Sequence, residues 1–177
     1  AEFAKLFSNA YRYINFAIAN QFYMIAKSAG VDYYNVLKGL KKDYPRAKDV
    51  PGAGLAAGPC LLKDTMQLAA FFRNQFSLGH AAMLINEGFP QFIVDHLLPK
   101  YDLAGMTIGL LGMAFKADID DTRDSLSYKL KRLLQFQSKA VLTSDPFVNT
   151  DPNLTSLEQT LKQSDLLPIF GSKGRVS

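Results

Sequence analysis

A thiol, an ammonium and a carboxylate stand within five residues: Cys60, Lys63 and Asp64. Cys60 is the only cysteine, and it ends the small-residue run Pro51-Gly52-Ala53-Gly54-Leu55-Ala56-Ala57-Gly58-Pro59. If Cys60 opens a helix, Lys63 and Asp64 lie one turn on along its face. A helix N-terminus and a nearby ammonium both stabilise a thiolate, the form that attacks carbon. That layout suits covalent catalysis. The competing reading is a buried structural cysteine behind a loop, since free cysteine is among the most buried residue types.

Two further groups carry polar chemistry. Glu2, Lys5 and Asn9 recur at spacings of three and four, and Asn20 falls on nearly the same side three turns beyond Asn9. An ammonium and an amide on one face could hold a substrate oxygen or a catalytic water. The alternative is a solvated stripe with a Glu2–Lys5 pair, although asparagines among apolar neighbours need partners. Further along, Ala114-Phe115-Lys116 leads through Asp121-Thr122-Arg123 to Ser125. Lys116 and Arg123 could contact phosphate, with Phe115 against a base or sugar, because ligands of open α/β sheets bind at strand carboxyl ends. A salt-bridged turn capped by Ser125 explains the same residues.

The elements that must position these groups follow from pattern. Apolar residues recur at helical spacing over 2–29, Gly30 stops that helix, and Asp32 can cap a second helix to about Lys42. Residues 43–59 read as a long loop holding Pro45, Pro51, Pro59, Gly52, Gly54 and Gly58. A third helix is predicted from Leu61 to Asn74. A fourth runs from Leu78 to Leu98, with a kink or break at Pro90. Strands are expected at 106–112, 140–143 and 166–170, with helices at 125–136 and 156–163 between them. That order predicts a parallel, doubly wound sheet. The fold class expected is an all-helical part (1–100) followed by a partial Rossmann-like parallel sheet (104–177). Both ends read as cut, and Pro168 inside the third strand removes a ladder donor.

Composition bounds the rest. The chain has 177 residues, 48% of them apolar, and a net charge of +4. One cysteine excludes an internal disulfide framework and fits a reducing compartment. No run is long enough to cross a membrane, and no leader pattern opens the chain, so a cytoplasmic location is expected. The basic groups at 38–42 and 129–132 read as solvated helix faces, so no nucleic-acid partner is expected. His80 and His96 have no carboxylate at ligand spacing, which predicts no metal site. Gly109-Leu110-Leu111-Gly112 is a weak relative of a nucleotide-binding turn, and no Gly-x-Gly-x-x-Gly occurs. Apolar excess on the first and fourth helices, with Tyr11, Tyr13, Phe16, Phe22, Tyr23, Phe89 and Phe92, predicts a dimer.

Taken in order, these segments resemble the UDP-glucose/GDP-mannose dehydrogenase family. The matching pieces begin with Glu2-x-x-Lys5-x-x-x-Asn9, Ala19-Asn20 and Pro45-Arg46. They continue through Pro51-Gly52-x-Gly54, Gly58-Pro59-Cys60, Lys63-Asp64, Asn86 and Pro90. They close with Gly112-x-Ala114-Phe115-Lys116, Asp121-Thr122-Arg123 and Asp145-Pro146, so the match spans about residues 1–165. The resemblance implies an enzyme of three parts: an NAD-binding Rossmann domain, a helical dimerisation domain, and a domain that binds the nucleotide of the sugar. This chain would supply the second and part of the third, with NAD bound by a domain it lacks, so that alone it is inactive.

By the same resemblance, C6 of a UDP-sugar is oxidised twice, from alcohol to carboxylate. Cys60 attacks the aldehyde, Lys5 and Asn9 stabilise the oxyanion, and Asp64 positions water with Asn9. Gly54, Leu55, Ala56, Gly58, Lys63, Phe115, Lys116 and Arg123 would hold the substrate, and Arg46 would reach the substrate of a second subunit. Ala56 and Ala57 lengthen a loop that is shorter in many relatives. Gln21 and Leu62 also depart from the pattern, as does the chain after Asp165. Two rivals stand beside this reading. One is a non-catalytic dimerisation and UDP-sugar-binding module. The other is a cysteine acyl-transfer enzyme, which lacks a base near Cys60.

Overall fold

A computed structural model describes residues 2–168, which form two compact units, one up to Glu87 and one from Gly88 onward. The first unit opens with α1 (Glu2–Ser28) and α2 (Tyr33–Lys41). Asp32 caps α2 as its type and position predict, accepting from the amides of Tyr34 and Asn35. The long loop is broken by one 3-10 turn, Pro45–Ala47, and leads into α3 (Leu61–Phe71). Tyr13 and Ala17 of α1, Leu61 of α3 and Ala82 form a buried cluster.

α3 ends three residues before the expected Asn74. Arg73 and Asn74 take left-handed backbone angles (φ 51° and 59°), and the Asn74 amide turns back to the Ala69 carbonyl at 2.7 Å. Asparagine tolerates that conformation better than most residues, which turns the chain out of the helix. The break anticipated at Pro90 does not occur: α4 (Ser77–Leu97) runs through it. The cost of a proline inside a helix is met by packing, since Phe89 and Pro90 are both buried. The division between the two units falls inside α4.

In the second unit, a 3-10 turn (Leu103–Gly105) precedes β1 (Thr107–Leu111), which pairs in parallel with β2 (Ala140–Ser144). Between them lies α5 (Leu126–Gln135), capped by Ser125, and after them α6 (Leu157–Gln163), capped by Ser156. Both helices pack on the sheet. The fold class is as expected, an all-helical part followed by a small parallel sheet. The third strand is reduced to one parallel bridge, Leu166 to Ile108, on the free side of β1. There the Gly109 amide donates to the Leu166 carbonyl at 2.9 Å. Pro168 follows two residues later and cannot donate, which fits a bridge too short to become a strand. Leu167 and Pro168 are not strand, and residues 169–170 of the expected strand lie outside the described residues with the tail.

Burial shifts several hydroxyls in ways that can be measured. Burial first, and the neighbouring Tyr34 second, push Tyr23 and Tyr33 up to about 12. Tyr13 rises beyond that through burial and then Glu87, and Tyr128 through burial and then Asp151. Four of the eight tyrosines should therefore keep their protons well past the usual value of 10. An alkaline ultraviolet titration checks the count. The unfolded chain sheds these protons from about pH 10, so stability should fall as pH rises from 10 towards 12.

Candidate active site

Cys60 is the N-cap of α3 and is exposed, which removes the buried structural reading of this thiol. Its own carbonyl accepts the Asp64 amide at 2.8 Å, so Cys60 and Asp64 are joined across the first helical turn. The Asp64 side chain is 2% exposed, and its Oδ1 lies 3.5 Å from Lys63 Nζ, whose side chain is 66% exposed. A carboxylate this buried needs hydrogen bonds beyond one solvated ammonium. Asn9 of α1 supplies one, donating from Nδ2 to Asp64 Oδ2 at 2.7 Å. That bond fixes the amide's orientation and leaves its Oδ1 and second N–H for another partner.

Lys5 stands exposed on α1, one turn before Asn9, on the helix face that also carries Asn20. Arg46 is exposed on the 3-10 turn Pro45–Ala47. In the loop before Cys60, Gly54 and Leu55 are half-buried, and Ala56 and Gly58 are buried. Gly58 has a φ of 112°, a conformation that favours glycine and turns the loop into Pro59 and Cys60. The Gly54 amide donates to Asn20 Oδ1 at 2.8 Å, and Asn20 Nδ2 donates to Asn86 Oδ1 at 2.9 Å. The helix asparagine is therefore a buried structural tie rather than part of a solvated stripe.

In the second unit, Gly109-Leu110-Leu111, the start of the weak relative of a nucleotide-binding turn, is strand. Gly109 sits in the middle of β1, where a Cβ would run into Leu167 and lie 2.5 Å from Ser164 Oγ. Glycine is there for close packing. The turn that follows β1 starts at Gly112 (φ 93°), and its next amides, from Met113 and Ala114, both donate to Asp145 Oδ2 at 2.7 and 3.0 Å. Asp145 also accepts from Phe147 through Oδ1 at 2.9 Å. Backbone amides that could cradle an anion are thus occupied by the chain's own carboxylate. In the sequence Asp145 marks the end of a strand and a piece of the family pattern, and neither names these partners. Its place directly after an apolar strand and before Pro146 was the available signal.

Beyond this turn, Phe115 is half-buried and its amide donates to the Asp121 carbonyl at 3.1 Å, while the Lys116 side chain is exposed. Arg123 is not free for phosphate. Its Nε and Nη2 grip the Asp121 carboxylate at 3.0 and 2.7 Å, and these bonds hold that carboxyl below its usual range. The capped-turn reading of this segment holds for Arg123 and Ser125. Asp120 Oδ1 ties in the 149–150 loop, accepting from the Asn149 amide and the Thr150 hydroxyl at 3.1 and 3.2 Å. Lys131, expected in a solvated basic face, donates instead to Thr143 Oγ1 at 3.2 Å. His96 stacks on Phe92, and no group of three metal-ligating side chains occurs among the described residues. No described helix is long and apolar enough to cross a membrane.

Both parts of the chain are similar to known proteins. Residues 1–88 match the central domain of the UDP-glucose/GDP-mannose dehydrogenase family, and residues 109–170 match its UDP binding domain. The UDP-N-acetyl-D-mannosamine dehydrogenase of Pyrococcus horikoshii is 34% identical over 96% of this chain and 41% of its own length. The UDP-glucose 6-dehydrogenase of Haloferax volcanii is 35% identical over 82% of this chain and 35% of its own. The solved UDP-glucose dehydrogenase of Pyrobaculum islandicum superposes with a TM-score of 0.79 at 27% identity, covering 96% of this chain and 43% of that one. The chain thus spans about two fifths of the length of these relatives. With both matched segments in the same order, the chain belongs to the UDP-glucose/GDP-mannose dehydrogenase family.

Proposed function

We propose that these residues form the central and nucleotide-binding parts of an NAD-dependent UDP-sugar 6-dehydrogenase. The observation that carries the reading is an exposed thiol at a helix N-terminus, one turn before a buried carboxylate that is bonded to an amide of α1. The substrate's C6 hydroxyl becomes a carboxylate through two hydride removals, with NAD as the acceptor. The described residues hold no dinucleotide turn, because Gly109 is in mid-strand and Asp145 fills the amides after β1. NAD is assigned to a domain outside these residues, as the family resemblance implies.

The Cys60 sulfur adds to the C6 aldehyde, and Lys5 and Asn9 stabilise the oxygen that becomes negative. Loss of the second hydride leaves a thioester on Cys60. Water, positioned by Asp64 and Asn9, attacks that carbonyl and expels the thiolate, which leaves the sugar as a carboxylate. Lys63 and the 54–58 loop line the sugar side. Phe115 and Lys116 hold the nucleotide, and Arg123 serves by fixing the turn through Asp121.

Dimerisation through the helical part is supported by α1. Phe3, Phe7, Tyr11, Ile18, Phe22 and Ile25 are all exposed and fall within an arc of about 100° on the helix. Tyr13, Tyr23 and Phe89, expected to contribute, are buried instead. Arg46 is the residue proposed to reach the partner's substrate.

Calorimetric titration with UDP-glucose, UDP-N-acetylmannosamine and GDP-mannose tests the reading. A UDP-sugar should bind, and Lys116→Ala should weaken it by roughly 10- to 100-fold, the worth of one charged hydrogen bond. The same chain should show no oxidation when NAD is added. Binding without turnover is also what a purely nucleotide-binding, dimerising module would give, so cysteine labelling by iodoacetamide should be blocked by the bound sugar. Failure of all three nucleotides to bind would overturn the proposal.

A further inference from the structure

We infer that Asn20 and Asn86 are positioning residues for the loop that delivers Cys60, an inference that rests on reading Cys60 as the nucleophile. Both side chains are completely buried on facing helices of the first unit. They form a one-way chain of hydrogen bonds. The Gly54 amide donates to Asn20 Oδ1 at 2.8 Å, Asn20 Nδ2 to Asn86 Oδ1 at 2.9 Å, and Asn86 Nδ2 to the Tyr13 carbonyl at 3.0 Å.

Only one orientation of each carboxamide satisfies this chain. The Gly54 amide needs an oxygen, so Asn20 must turn its nitrogen to Asn86, and Asn86 must turn its own to Tyr13. Flipping either amide breaks two bonds and sets like atoms against each other. Buried polar groups joined in this way polarise one another and fix a single arrangement of the elements they connect. The loop is the element with least support of its own. It has no helix or strand between Ala47 and Leu61, and Gly54 stands six residues before the thiol. Its fixed point is therefore not a neighbour in sequence but an amide on α1, oriented by an amide on α4.

Asn86 touches neither Gly54 nor Cys60 by hydrogen bond, so an effect of Asn86 on the loop must pass through Asn20. That separates positioning from contact. Asn86→Asp is nearly isosteric and faces the Tyr13 carbonyl with an oxygen, while Asn20→Asp faces Asn86 Oδ1 with one. Tyr13 and Glu87 are the titratable groups at this position, so all measurements are compared at one pH.

Amide exchange by NMR and iodoacetamide labelling of the single cysteine are measured on the 177-residue chain. In both variants the Gly54 amide should lose protection at least about tenfold, while amides inside α1 and α3 keep theirs. The Cys60 labelling rate should move by roughly threefold or more, in the same direction in both. The double variant should match Asn20→Asp alone, because the chain acts as one unit. If either aspartate variant does not fold, the corresponding Asn→Ser variant carries the same expectation. Asn86 variants that leave Gly54 protection and Cys60 labelling unchanged overturn the inference, and so does a protection loss spread evenly over the unit. Neither readout uses a nucleotide, so a chain that binds no UDP-sugar yet shows these effects refutes the substrate reading alone.

Discussion

Phe89→Ala is expected to destabilise the chain by about 3–5 kcal/mol, the range for removing a buried phenyl ring. Phe89 is 0% exposed and is among the largest wholly buried side chains. Its ring stacks on Phe92 at 6.1 Å with planes 12° apart, which adds an aromatic contact to the lost burial. It also immediately precedes Pro90, where α4 gives up one backbone hydrogen bond, so packing has to hold the helix together at that point. Thermal melting should show a fall of roughly 6–20 °C for a chain of this length. A loss under about 1 kcal/mol would mean the site collapses around the missing ring and that α4 is held by other contacts.

Gly109→Val should be the most damaging change in the sheet, at about 3 kcal/mol, with Gly109→Ala at roughly half of that. A Cβ at this position would meet Leu167 and would sit 2.5 Å from Ser164 Oγ and 3.0 Å from Thr160 Cγ2. Thr160 is completely buried and bonded to Thr155, so it has little room to yield. The branched methyls of valine would push α6 and the 165–166 segment away from β1. That would break the Gly109–Leu166 and Asp165–Thr107 backbone bonds, at 2.9 and 2.8 Å. Hydrogen exchange should show α6 and these amides losing protection while α1 and α3 are unchanged. Full protection of α6 in the valine variant would show that the helix can shift without loss, against this account.

Much of this arrangement was legible from local chemistry. Asp32 and Ser125 are the caps their types predict, because a cap is satisfied by amides two or three residues on. The two short strands and the helix that Cys60 opens were also local patterns. What could not be read depends on partners far along the chain. Asn20 was recognisable as a buried amide in need of a partner, but nothing within a helical turn names Asn86, 66 residues away. Asp145 was visible as a strand end, yet its hold on the Met113 and Ala114 amides joins residues more than thirty apart. Arg123 could be read either as a phosphate contact or as part of a salt-bridged turn, and the choice rests on a near neighbour. Its partner Asp121 is two residues back, and a bidentate grip at that distance competes with any phosphate. Pro90 misled because its local cost is real, while the burial that offsets it is a tertiary fact.

The bonds that assemble the polar interior of α1 reach across 55 residues to Asp64, 66 to Asn86 and back 73 from Asn86 to Tyr13. Closing loops of that length costs about 4 kcal/mol of chain entropy before any contact repays it. α1 can therefore wind early, on local propensity, but its asparagines keep water as their partner until the chain has come round through α4. During synthesis α1 emerges before α4, so Asn20 and Asn9 are made before Asn86. Folding order thus makes the thiol's surroundings one of the final things this unit acquires. A nascent chain stopped short of Asn86 would carry Cys60 and Gly54 while the Asn20 amide still lacked the partner that orients it.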